Sequence, residues 1–272
     1  MKNKIKFSKG EIIFLIVLIA YVAIIGLIVL PGYLRKQNES IYLMTPRYKI
    51  KYVKGKWKKI TNSDDYKLRE FNIYVDNSYF GKYKILYSTR FTLIDNDDNI
   101  VDYNGYIFAA GGNLETKLYS FNNETYLNGD DDAIVKDVLK EIGINENAFF
   151  NIHQKISFDV NNDGSSEYIY YVDNMAKPSE NSLDGITSPV SNDSGLNYAV
   201  LFMYKNNKIY IIDKEVTEKE EYQIFEPLNI VDIRDDGKLE LIYIKGDRYN
   251  TFSDCASIYN LTNNKNIHNF CE

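Results

Sequence analysis

Residues 155–173 constrain the fold more than any other part of the chain, because they specify a sharp turn and the strands on both sides of it. Their sequence is KISFDVNNDGSSEYIYYVD. Oxygen-bearing side chains recur there at fixed spacing: Asp159, Asn161, Asp163 and Glu167. Gly164 lies among them and favours a sharp turn. This is the front half of an oxygen-ligand calcium loop. The residues that follow are aromatic and β-branched, so we predict a loop between two strands rather than between the helices of an EF-hand.

A second copy of this pattern occupies residues 231–243, with the sequence VDIRDDGKLELIY. The residues at the matching offsets are Asp232, Arg234, Asp236, Gly237 and Glu240. The similarity continues downstream, where residues 198–208 align with residues 255–265 and both segments reach an Asn-Asn turn. Internal similarity of this kind predicts two related β units in the C-terminal half of the chain.

The strand, the loop of pattern D-x-[DN]-x-D-G-x-x-[DE] and the second strand resemble the FG-GAP or VCBS repeat. That repeat binds calcium in integrin-type β-propellers and in many bacterial surface proteins. The resemblance covers roughly residues 156–272 and implies propeller-blade-like units. It also implies Ca²⁺ as the ion of the first loop, with these candidate ligands: Asp159, Asn161, Asp163, Ser165 and Glu167.

The second loop departs from the ligand pattern at Arg234. A guanidinium group has hydrogen-bond donors but no acceptor, so it cannot coordinate a cation. The weaker set of candidate ligands that remains is Asp232, Asp236 and Glu240. The alternative for both loops is a metal-free turn, in which Asp and Asn side chains hydrogen-bond to their own backbone.

Residues 12–30 form an uncharged apolar run that is long enough to cross a bilayer as a helix. Neither a small-residue cleavage site nor a lipid-accepting Cys follows it, which favours an uncleaved anchor over a cleaved signal peptide. Basic residues flank the run on both sides, so the positive-inside rule alone does not set the orientation. A short lysine-rich tail is hard to translocate, and weak calcium loops suit the millimolar calcium outside cells. We therefore expect a single-pass protein of the cell membrane with a cytoplasmic N-terminus and an extracellular C-terminal domain.

The formal net charge of −6 is unevenly distributed, because residues 1–60 are strongly basic and the remainder is acidic. An acidic main body repels phosphate, which argues against nucleic acid as a partner. Basic and apolar residues alternate in residues 47–60 around Lys54 and Gly55, which predicts a hairpin with one basic face. That face is either a contact for anionic headgroups or envelope polymer, or the solvated side of a half-buried sheet.

The remaining segments predict further β structure and one helix. Residues 71–109 alternate strand-like runs with Asp, Asn and Gly turns, as in a β-meander. Residues 130–142 carry an apolar stripe at helical spacing, acidic residues in the first turn and Gly143 after the last. Residues 174–197 are a polar insertion in the first repeat, either a binding loop or a mobile one.

Two side-chain pairs bear on chemistry outside the loops. Cys255 and Cys271 are candidates for a cross-strand disulfide, with two reduced cysteines as the alternative. His153 and His268 are the only histidines, and neither lies in a nucleophile or metal-ligand motif. A glycosidase that uses carboxylates alone leaves no spacing signature, so this one enzyme class stays open.

These observations predict a mainly β protein with the following segments: a cytoplasmic tail (1–10), a transmembrane anchor (11–31), a linker (32–40), a β-meander unit (41–126), a connecting amphipathic helix (127–145) and two FG-GAP-like units (146–272). The units form either an irregular propeller or a sandwich. The expected function is a calcium-stabilised binding or adhesion module of a bacterial-type surface protein, whose partner is an extracellular protein or an anionic envelope polymer. The alternative is a non-catalytic accessory subunit of a membrane or envelope complex.

Overall fold

The computed structural model describes the following residues: 18, 21, 40–46, 48–61, 69–76, 78–86, 91–105, 107–112, 117–119, 122–123, 129–161, 163–175, 190, 195–219, 223–233, 236–247 and 250–270. For residues 117, 122–123, 247 and 250–255 it describes the backbone alone. The predicted transmembrane anchor falls outside this part of the chain, apart from Leu18 and Tyr21. Within the described part, no helix is both long enough and apolar enough to span a membrane.

The fold is mainly β, as predicted from the sequence. The strands before the helix are β1 (Ser40–Met44), β2 (Lys49–Val53), β3 (Lys56–Lys59), β4 (Glu70–Val75), β5 (Ser78–Ile85), β6 (Leu93–Ile94), β7 (Ile100–Val101), β8 (Ile107–Gly112), β9 (Lys117–Tyr119) and β10 (Asn122–Asn123). After helix α1 (Gly129–Glu141) come β11 (Asn151–Phe158), β12 (Glu167–Asp173), β13 (Asn197–Lys205), β14 (Lys208–Thr217), β15 (Gln223–Asp232), β16 (Glu240–Asp247), β17 (Asn250–Asn260) and β18 (Lys265–Asn269).

The first eight strands form an N-terminal sheet in the order β3-β2-β1-β8-β4-β5-β6-β7. Strands β1 to β3 and strands β4 to β7 each follow one another as a meander, and β8 returns to the middle of the sheet, where it pairs with β1 and β4. The segment predicted as the β-meander unit, residues 41–126, extends beyond this sheet. Strands β9 and β10 belong to that segment but pair with β15 and β11, where they cover strand edges that would otherwise be open.

Each sequence repeat forms a sheet of four consecutive antiparallel strands. Strands β11 to β14 make the first-repeat sheet, with β10 at its edge, and β15 to β18 make the second-repeat sheet, with β9 at its edge. The two loops that carry the repeated motif join the first and second strands of each sheet, at Phe158 paired with Glu167 and at Val231 paired with Glu240. The loops thus occupy equivalent positions in the two sheets.

The sheets stack face to face around apolar clusters. Leu201 and Leu241 share a cluster between the two repeat sheets, and Ile242 packs with Ile50 in a cluster between the second-repeat sheet and the N-terminal sheet. Since neighbouring side chains of a strand point to opposite faces, Leu241 and Ile242 serve different layers. The second-repeat sheet is buried on both faces, which explains its nearly continuous apolar strands.

The predicted amphipathic helix is confirmed as α1, which packs through Val135, Val138 and Leu139 on the outer face of the first-repeat sheet. Its C-terminus is closed by Gly143, which has a φ of 85° and donates its N–H to Lys140. At the other end, the Asp131 carboxylate is buried and accepts from Lys155 Nζ at 2.8 Å. The Tyr170 hydroxyl donates to the same carboxylate at 2.8 Å. This buried cluster fixes the first turn of α1 to β11 and β12.

Candidate functional site

The first loop is shaped by the carboxylate of Asp159. Its Oδ2 accepts from the N–H of Gly164 at 2.8 Å, and its Oδ1 accepts from the N–H of Asp163 at 3.2 Å. Gly164 has a φ of 85°, a left-handed conformation that favours glycine. The aspartate at the first motif position therefore folds the loop back over itself.

Glu167 closes the base of the first loop. Only 3% of this residue is exposed, and its Oε2 accepts from the N–H of Val160 at 2.8 Å. A buried carboxylate that accepts a backbone N–H satisfies a donor the turn would otherwise leave unpaired. Glu167 therefore holds the beginning and the end of the loop together.

The exposed top of the first loop carries Asn161 and Asp163. The N–H of Asp163 lies 3.2 Å from Asp159 Oδ1 and 3.3 Å from Asn161 Oδ1, so acceptor oxygens of two predicted ligands converge on one backbone group. The backbone N–H of Ser165 donates to Asp163 at 2.7 Å, and the Asn161 amide donates to it at 2.8 Å. These hydrogen bonds, of which the one from Ser165 has the largest effect, lower the pKa of Asp163 from its ordinary value.

The second loop repeats these contacts position by position. Asp232 accepts from the N–H groups of Asp236 at 3.0 Å and Gly237 at 2.7 Å, as Asp159 does in the first loop. Glu240 Oε2 accepts from the N–H of Ile233 at 3.2 Å, as Glu167 accepts from its own loop. The two copies of the motif thus fold into equivalent turns. The backbone-bonding role that the sequence left as an alternative accounts for part of each carboxylate's hydrogen bonding.

Charge distinguishes the second loop from the first. Lys238 stands at the offset that Ser165 has in the first loop, and its Nζ lies 3.0 Å from Asp236 Oδ2. An ammonium group thereby supplies positive charge at the top of the second loop. The predicted pairing of Arg234 with its aspartates falls outside the described residues.

Glu240 of the second loop has a raised pKa. Burial raises its pKa to about 7, and repulsion from Asp232 and Asp236 adds to this effect. Hydrogen bonds from the Ile233 N–H and from Asn260 Nδ2, the latter at 2.9 Å, act in the opposite direction. Both carboxylate oxygens of Glu240 therefore have protein partners.

The donor set of the first loop fits a calcium ion in kind. Calcium takes carboxylate and amide oxygens, and each carboxylate oxygen has two lone pairs, of which the loop's hydrogen bonds use only some. Among the described residues, no group of three or more His, Cys, Asp or Glu side chains is placed to hold a metal ion. The predicted ligand set of the first loop, Asp159, Asn161, Asp163, Ser165 and Glu167, thus stays a prediction, and its carboxylates are not gathered as a metal cluster in this structure.

The histidine cluster at the far end of β12 was not expected from the sequence. His153 Nε2 lies 2.7 Å from Asp173 Oδ1, and the Tyr171 hydroxyl donates to Asp173 Oδ2 at 2.7 Å. Asn174, the next residue, accepts from the N–H groups of Val190 and Tyr198 and so ties both ends of the insertion to the sheet. The contacts of His153 with Asp173 and of Asn174 with Val190 and Tyr198 link residues far apart in the sequence, so no local motif could reveal them.

The predicted basic hairpin is confirmed in β2 and β3, which turn at Lys54 and Gly55 with φ angles of 53° and 80°. Positive φ at both central residues is typical of a type I′ turn. Ile50 and Tyr52 are buried, whereas the side chains that alternate with them in β2 are half-buried lysines. Lys51 pairs with Lys58 across the two strands.

The disulfide between Cys255 and Cys271 stays a prediction. The backbone of Cys255 pairs with Lys245 in the second-repeat sheet, but its side chain and all of Cys271 lie outside the described residues.

Comparisons of the chain with protein-family models, with curated proteins and with solved structures find no match. The chain's own residues and contacts therefore carry the case for a function.

Proposed function

We propose that the chain is a binding or adhesion module on the outer face of a cell membrane, anchored by residues 12–30 and stabilised by calcium in its first loop. The convergence of Asp159 Oδ1 and Asn161 Oδ1 on the Asp163 N–H carries the calcium part of this proposal. Oxygens already gathered at one end of a closed turn lose little conformational freedom when an ion binds. The FG-GAP-like motif and blade-like repeat sheets agree with this role.

The second loop acts as an ion-free counterpart within the same chain. Lys238 places its ammonium group on Asp236, where an ion in the first loop would bring positive charge to Asp163. Both loops keep the same backbone hydrogen bonds. These shared hydrogen bonds shape both turns, and calcium in the first loop would add stability to that turn.

The basic face of β2 and β3 supports an anionic partner at the cell envelope. Its charged side chains come from both strands of one hairpin and share the face of the Lys51–Lys58 pair: Lys49, Lys51, Lys56 and Lys58. Each lysine near an anionic membrane surface contributes about 1 kcal/mol to the free energy of binding. Residues 31–39 reach at most about 30 Å when fully extended, which keeps the N-terminal sheet close to a bilayer crossed by residues 12–30.

Thermal unfolding of the full chain in detergent, with calcium or with a chelator, tests the proposal. For a weak extracellular-type site with a Kd of about 0.1–1 mM, about 10 mM calcium adds roughly 1.4–2.7 kcal/mol. That gain raises the Tm by roughly 3–10 °C for a chain of this size. Asp163→Ala should abolish the gain, whereas the matched Asp236→Ala in the second loop should preserve it. A Tm that calcium leaves unchanged in the wild type would remove calcium from the proposal.

A further inference from the structure

A cleft opens where β3 of the N-terminal sheet meets the second loop and the β17–β18 hairpin. Its volume is about 320 Å³, at the lower end of the range of about 300–1,000 Å³ for ligand pockets. Three separate elements of the fold line it, and they contribute Trp57, Asp236 and Asn263. The cleft is lined by residues of the second loop and by none of the predicted calcium ligands of the first.

Trp57 forms a fixed aromatic wall of the cleft. Its ring lies 5.2 Å from the ring of Tyr52 and 6.5 Å from that of Phe270, which meets it edge-on at 86°. These neighbours hold the indole on two sides while it remains half-exposed. An aromatic ring held in place offers a large apolar surface to a ligand at a small cost in conformational entropy.

The polar lining combines opposite charges and amides in equal measure. Carboxylates come from Asp236 and Glu240, ammonium groups from Lys238 and Lys265, and carboxamides from Asn260 and Asn263. A strongly anionic or cationic ligand would meet as much repulsion as attraction there. A polyol fits better, because each hydroxyl both donates to carboxylates and accepts from ammonium or amide groups.

The contacts of Glu240 favour binding over bond cleavage. A glycosidase needs one carboxyl group free to protonate the leaving group and a second one opposite it. Both oxygens of Glu240 instead accept structural hydrogen bonds, from Ile233 and Asn260. The carboxylate of Asp236 is likewise engaged, by the backbone N–H and the ammonium group of Lys238.

We propose that this cleft binds a sugar ring of a glycan, with the apolar C–H face of the ring against Trp57 and its hydroxyls on Asp236, Asn263 and Lys265. The inference rests on the proposed binding function and names the ligand class of that module. It requires no ion in either loop. The size of the cleft limits recognition to about one ring, so a longer glycan would bind through a single residue or chain end.

Trp57 is the only tryptophan of the chain, so its fluorescence reports directly on the cleft. The full chain, held in a detergent without sugar headgroups, is titrated with soluble oligosaccharides of N-acetylglucosamine, of β-linked glucose and of mannose. We expect at least one series to shift the emission saturably below about 10 mM. The shift should be the same at low and high salt, because the interaction is not between net charges.

Two variants locate the ligand. Trp57→Leu should raise the Kd, measured by calorimetry, at least about tenfold, since an aromatic anchor is lost. Asn263→Ala replaces an exposed turn residue. This variant should raise the Kd about threefold or more and leave the Tm unchanged. The matched control is Tyr79→Leu, which removes an aromatic residue that is 59% exposed on β5 and should leave the Kd unchanged.

An emission spectrum that none of the three sugar series alters overturns the proposal. So does a Kd that stays the same in both cleft variants. Binding of dextran sulfate alone, lost at high salt, also overturns it and assigns ligand binding to the basic face of β2 and β3. If calcium raises the Tm but no sugar binds, the proposed sugar ligand is wrong and the calcium part of the proposed function stands. If sugars bind and calcium has no effect, the cleft stands and the calcium part of the proposed function fails.

Discussion

The stability of the protein should fall as the pH rises through neutrality, because Glu240 is buried in the second loop. Burial raises its pKa from the ordinary value of 4.5 to about 7. A difference of roughly 2.5 units corresponds to about 3 kcal/mol of unfolding free energy, at 1.36 kcal/mol per unit. The folded protein holds this proton more tightly than the unfolded chain does. The stabilisation is therefore complete below about pH 4.5 and is lost as the pH rises through about 7.

Glu240→Gln keeps the size of the side chain and removes the titration. Urea unfolding of the full chain, with a chelator present, gives the unfolding free energy of the wild type and the variant between about pH 4.5 and 8.5. The wild type should lose about 3 kcal/mol relative to the variant across this range. Glu226→Gln is the matched control, because Glu226 is exposed on β15. If the Glu240→Gln curve runs parallel to the wild-type curve, burial of an ionisable Glu240 is refuted.

Three further substitutions test the packing by urea unfolding. Lys155→Met should cost about 3–5 kcal/mol, because it leaves Asp131 buried without its ammonium partner, and adding Asp131→Leu should recover most of the loss. Leu241→Ala should cost about 2–5 kcal/mol, since the residue is fully buried between the repeat sheets, whereas Ile267→Ala on the surface should have little effect. Gly164→Ala should cost about 1 kcal/mol because its φ is 85°, whereas Gly129→Ala should be nearly neutral, since no atom lies within 4 Å of the added methyl group. If a substitution and its matched control change the unfolding free energy by the same amount, the contact that the substitution tests does not stabilise the protein.

Local patterns predicted the elements whose shape depends on neighbouring residues. The loop motif correctly indicated a turn between β11 and β12, because Asp159 and Gly164 bond within the same short segment. The two faces of the β2–β3 hairpin followed from simple alternation. Helix α1 followed from its stripe and its C-terminal glycine. In each case the residues that form the pattern lie within one short segment.

The sequence patterns did not predict the contacts between distant segments. The insertion of β8 between β1 and β4, and the transfer of β9 to the second-repeat sheet, depend on which strand edges are open in the folded chain. Trp57 showed no local sign that it would line a cleft with Asp236, because the two residues are brought together only by the packing of two sheets. The acidic residues of α1 were predicted as part of its first turn, and the pairing of Asp131 with Lys155 of β11 was not predicted.

Calorimetric titration of the full chain with calcium tests the central claim most directly. The first loop, with its converging oxygens and ionised Asp163, should bind one ion per chain with a Kd of about 0.1–1 mM. Asp163→Ala should abolish this binding and Asp236→Ala should leave it intact. A calcium site in the first loop would be contradicted if the wild type showed no heat of calcium binding. It would also be contradicted if Asp163→Ala showed the same heat of binding as the wild type.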